Sequence, residues 1–100
     1  MTDLGDWLER HTGSAPPALR ARVNTLALAA SGESVPAGLA LAGRQALEGV
    51  LAHPGDRSVA LDLLAADALI TLALLVQAQR APGELAGFAA SILQAVRPGT

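Results

Sequence analysis

The segment from Ser58 to Arg80 (SVALDLLAADALITLALLVQAQR) constrains this chain more than any other. Wound at 100° per residue, it is a helix with apolar residues on nearly every side. Ile70, Leu74 and Leu63 point one way, Leu64, Leu75, Leu61 and Leu72 the other, with Asp62, Asp67 and Thr71 set among them. A helix without a wet face has to be surrounded by protein or lipid. Its longest apolar stretch, Ala68 to Val76, is well short of the roughly 20 residues of a membrane span, and Asp67 blocks its extension. The reading is therefore a core helix, with no membrane span.

The rest of the chain reads as helices too. Ala and Leu together make up 40 of the 100 residues, and both are strong helix formers. Only Trp7 and Phe88 are aromatic, and Val and Ile never alternate with polar residues as strands require. Pro and Gly then punctuate five helices, at about 3–12, 16–31, 36–53, 57–80 and 82–96, with 97–100 as a short tail. Asp3 is the expected cap of the first helix and Gly13 its left-handed stop; Ser14 should open the second and Gly32 end it. Ser34 caps the third and Asp56 or Ser58 the fourth. The predicted fold is all-α, a single domain over 1–100: a compact bundle of short helices around the central apolar helix 57–80.

Each neighbour should bury one stripe. These are Leu19, Val23, Leu26 and Ala30 in the second helix, Leu39, Gly43, Ala46, Leu47 and Val50 in the third, and Leu85, Phe88, Ala89, Ile92 and Val96 in the fifth. Arg44 and Glu48 are expected to pair on the outside of the third helix. Gly43 on an inner face costs about 1 kcal/mol relative to Ala, so a neighbouring helix should approach closely there.

Chemistry leaves little trace. Asp62 sits near the start of its helix, where the dipole suits a carboxylate, but Asp67 lies mid-helix with Thr71 one turn on. Asp67, Thr71 and Asp62 are thus candidate buried polar groups of structural role. Asp67 would call for a partner such as Arg20, Arg22, Arg44 or a His. The two aspartates are about 140° apart around the helix and cannot share a metal on one face. His11 and His53 fall at helix C-termini, where a ring nitrogen can meet the last carbonyls. There is no HxxxH, HxxE, GxSxG, GxGxxG or P-loop pattern, so no catalytic residue, metal site or cofactor is expected, and an enzyme is not the reading. Net charge −2 and seven Arg residues without clustering give no nucleic-acid footprint. The absence of cysteine leaves the redox compartment open, and the acidic amphipathic N-terminus, without the basic and apolar regions of a secretory signal, leads to a cytoplasmic expectation; Arg without Lys, with abundant Ala, fits a GC-rich bacterial coding sequence.

Two function classes remain. The first is a non-enzymatic interaction module, most simply a homodimer, or else a protein that meets another protein, since 100 residues have little room to surround a helix of about six turns. The second is a small bundle binding an apolar small molecule or lipid in an Ala/Leu-lined cavity, with the first helix as a lid. Trp7, Leu4 and Leu8 share one face of that helix, either as its anchor or as a partner contact, with anchoring favoured.

Overall fold

The structure, a computed structural model, describes residues 4–30, 34–53, 55, 57 and 59–96, with Ala95 and Val96 described by their backbone only. It is all-α, with no strand among those residues. The helices are α1 (Leu4–Thr12), α2 (Pro17–Ala29), α3 (Val35–Ala52), α4 (Val59–Arg80) and α5 (Leu85–Val96), the last entered through a single 3-10 turn at Pro82–Glu84. Asp3, Gly32, Asp56, Ser58 and the tail 97–100 lie outside the described residues, and so do the cap, stop and tail roles assigned to them.

Local chemistry explains most boundaries. Ser34 caps α3 as expected, its Oγ accepting from the Ala37 amide at 3.3 Å. Ser14 does not cap α2: Pro16 holds the N-cap position at φ −57° and ψ 146° with no side-chain bond, because Pro16-Pro17 enters the helix two residues too late for Ser14 to reach. Gly13 is not left-handed either. The positive φ among the described residues belongs to Gly55 (89°), in the break between α3 and α4. After α1 the chain turns instead through an Ala15 amide bond to the Thr12 carbonyl at 3.0 Å. Both histidines close their helices: His11 Nδ1 lies 2.9 Å from the Trp7 carbonyl and His53 Nδ1 3.1 Å from the Gly49 carbonyl, which places the proton on Nδ1 in each.

The tightest packing is between α3 and α4. Gly43 lies about as far before their short link as Ala66 and Ile70 lie beyond it, so the two helices form an antiparallel hairpin. A methyl group on Gly43 would sit 2.7 Å from Ile70 Cγ1, 3.2 Å from the Ala66 carbonyl oxygen and 3.3 Å from the Ile70 amide nitrogen. The close approach inferred from sequence is there. Pro36, Leu39, Ala42, Gly43 and Ala46 are buried along α3, facing Ala65, Ala66, Leu69, Leu72, Ala73 and Val76 of α4 and the Val23 and Ala27 stripe of α2. The α2 stripe is shifted from the expected one, with Leu19, Leu26 and Ala30 only half-buried. Leu8 of α1 is fully buried in the same core, with Leu4 and Trp7 packed beside it. The Trp7 ring stacks on His11 one turn on in the same helix, centroids 4.1 Å apart.

The long apolar helix α4 is the central one, packed against α2, α3 and α5, and one expectation about packing is corrected, the buried stripe of α5. The molecule is a slab of 38 × 35 × 21 Å, two helix diameters thick, so α4 is covered on one side and open on the other. None of the described side chains of α5 is buried: Leu85, Phe88, Ala89 and Ile92 are half-buried against α3 and α4, and Leu93 is 69% exposed. One layer of neighbours is all that 100 residues supply.

Candidate functional site

At 100° per residue, the six buried residues of α4 occupy one arc of about 120°. The opposite arc of about the same width carries Leu63, Asp67, Ala60, Thr71, Leu64 and Leu75, all exposed. Leu63, Leu64 and Leu75 keep 49%, 55% and 37% of their surface open, a concentration of large apolar side chains along one helix that water does not favour. By length and composition Val59–Arg80 is apolar enough to cross a membrane, and 33% of its most apolar window is buried within the fold.

The polar groups on this helix sit differently from the expectation. Asp67 and Thr71 are exposed, not buried, and Asp67 needs no internal cation because it faces outward. Arg22 meets Asp62 instead: its Nε donates to Oδ1 at 2.6 Å and a terminal nitrogen donates to Oδ2 at 3.2 Å, a bidentate clamp of α2 onto α4. The hydrogen bond to Asp62 raises the Arg22 pKa against the opposing effect of burial, holding the guanidinium more firmly charged. Both partners remain about one third exposed, so the clamp contributes at most about 1 kcal/mol and serves mainly to fix how α2 crosses α4. Thr71 differs from the other helical threonines. Thr12 and Thr25 each donate to the carbonyl four residues back, at 2.7 and 3.0 Å, whereas the Thr71 hydroxyl makes no bond among the described residues.

A second feature lies between α3 and α5. A cleft of about 300 Å³ is lined by Ala37, Ala40, Leu41, Phe88 and Ile92, with Arg44 and Ser91 as its polar members. Ser91 spends its proton on the Phe88 carbonyl at 2.6 Å. Arg44 makes no ion pair with Glu48, because it is half-buried in this cleft, and its Nε is buried without a hydrogen-bond partner; Asn24 Oδ1 is in the same condition on α2. No residue of α1 lines the cleft, so α1 is not its lid.

Among the described residues no group of three or more His, Asp or Glu side chains could hold a metal ion. Sequence reasoning missed the Arg22–Asp62 clamp and the Arg44 cleft. The first links positions 40 residues apart, and the second depends on where α5 rests, so neither leaves a local pattern. No family model, curated protein or solved structure matches the chain.

Proposed function

We propose that the protein is a non-enzymatic self-association module whose working form is a homodimer joined through the outer face of α4. The open arc bearing Leu63, Leu64 and Leu75 carries this reading. A slab two helices thick lacks the layer that would cover its longest helix, and a second copy supplies one. The face is about 33 Å long, and it carries Asp67 and Thr71 in its middle, where a lipid-facing surface would be uniformly apolar. Sedimentation velocity across a concentration series is expected to show a monomer–dimer transition in the micromolar range. A strict monomer at several hundred micromolar, or recovery of the protein in the membrane fraction only, would overturn the reading.

The Arg44 cleft favours a second reading, a site for a short aliphatic carboxylate. Its volume lies at the small end of ligand pockets, its walls are apolar, and the Arg44 guanidinium in its lining offers a cation to a carboxylate. Calorimetry with decanoate should then detect binding that decanol does not match, and Arg44→Gln should reduce decanoate to the level of decanol. Equal binding of the two compounds, or none, removes this reading.

A further inference from the structure

We propose that two copies pair through α4 in antiparallel orientation about a two-fold axis level with Leu69, the Asp67 carboxylate of each copy accepting a hydrogen bond from the partner subunit's Thr71. The inference rests on the homodimer reading and adds its geometry. Along the open arc, Ala60, Leu64, Asp67, Thr71, Leu74 and Ala78 succeed one another in steps of four, three, four, three and four, the spacing of a coiled-coil seam. Ala60, Leu64, Asp67 and Thr71 are exposed and Leu74 and Ala78 half-buried, so the seam lies on the surface.

By size and polarity the seam reads the same in both directions: small, leucine, polar, polar, leucine, small. A two-fold interface requires this kind of self-complementarity, because each contact is made twice with the roles exchanged. In the antiparallel register Ala60 faces the partner subunit's Ala78, Leu64 faces the partner subunit's Leu74, and Asp67 faces the partner subunit's Thr71. The alanines at both ends let the two axes come close.

The polar pair selects this register over its rivals. A parallel, in-register pair would set the two Asp67 carboxylates opposite each other in one layer, where like charges repel. Sliding the antiparallel pair by one heptad would place Asp67 against the partner subunit's Leu64 or the partner subunit's Ala78, desolvating a carboxylate with no donor in reach. Only the proposed register gives it a hydroxyl. That hydroxyl is available, because Thr71, unlike Thr12 and Thr25, has not turned its proton back onto its own helix. A single polar layer inside an apolar seam fixes register and orientation at some cost in affinity.

The absence of cysteine makes the test direct. Leu64→Cys and Leu74→Cys are made as separate single variants of the full chain, confirmed helical by circular dichroism, and oxidised alone and mixed. In the antiparallel register the mixture cross-links, and neither variant cross-links with itself, because like positions are then about 15 Å apart along the helix, beyond disulfide reach. The mixed dimer should exceed either self-linked dimer by roughly ten-fold or more. Ala60→Cys mixed with Ala78→Cys provides a second pair should Leu74→Cys fold poorly, with like positions about 27 Å apart along the helix. Self-linking of each variant would overturn the register in favour of a parallel dimer. No cross-link in a protein that still sediments as a dimer would overturn it in favour of another face, leaving self-association intact. A monomer in sedimentation would remove both.

Discussion

Gly43→Leu is expected to be the most disruptive single substitution in α3, abolishing the cooperative thermal transition or lowering its midpoint by tens of degrees. Even the first added carbon meets Ile70 Cγ1 at 2.7 Å, and two backbone atoms of α4 stand at 3.2 and 3.3 Å. The Ile70 side chain could shift, but the Ala66 carbonyl and the Ile70 amide belong to the helix itself. The hairpin would have to separate, and every contact along it would loosen. The milder Gly43→Ala is expected to destabilise by about 1–3 kcal/mol despite its gain in helix propensity, a fall of roughly 5–20 °C for a domain of this size. Gly49→Ala is the control in the same helix. Nothing lies within 4 Å of its added carbon, so propensity acts alone and the midpoint should rise by a few degrees. Thermal melts by circular dichroism of the three variants give a sign reversal within one helix; equal effects at positions 43 and 49 would mean that α3 and α4 do not approach as described.

Leu64→Asp should separate association from folding. Leu64 is 55% exposed and belongs to the open arc of α4, so the monomer should lose about 1–2 kcal/mol, from the covered part of the side chain and the lower helix propensity of Asp. In the dimer the same side chain is covered, and the two-fold axis counts it twice. Losing about half of a leucine burial in each copy removes roughly 2–3 kcal/mol, and two carboxylates placed against apolar partners add to it. Dissociation should become at least about a thousand-fold easier, read by sedimentation, while the melt of dilute protein falls by only about 5–15 °C and stays cooperative. The companion change Asp67→Leu should act in the opposite sense, tightening association while letting the pair choose its orientation less strictly. A Leu64→Asp protein that dimerises normally would exclude the α4 face as the interface.

How far the sequence could be read differs from element to element. Ser34 and the prolines placed α3 to within a residue, because capping and φ restriction are local properties. Gly43 signalled a close neighbour because a glycine on an inner helical face has few other reasons to be there. The covered arc of α4 was not legible. A segment apolar on every side carries no periodicity to say which arc faces its neighbours, and the number of available neighbours decided it. Asp67 was misread as buried for the same reason, since its apolar flanks, Ala66 and Ala68, turned out to lie toward the core while it faces water. The clamp between Arg22 and Asp62 and the condition of Arg44 depend on how α2 and α5 cross the hairpin, which spacing along the chain does not encode.

The shallow seating of α5 has a consequence for motion. A helix with no buried described side chain contributes little to global stability, so its amides should exchange with solvent through local openings that leave the hairpin of α3 and α4 closed. Such opening would expose the floor of the cleft at Ala37, Ala40 and Leu41 without any change at the outer face of α4. The chain thus divides into a slow-exchanging body and a fast-exchanging arm, and the Arg44 guanidinium in the cleft between them gains and loses its cover as the arm moves.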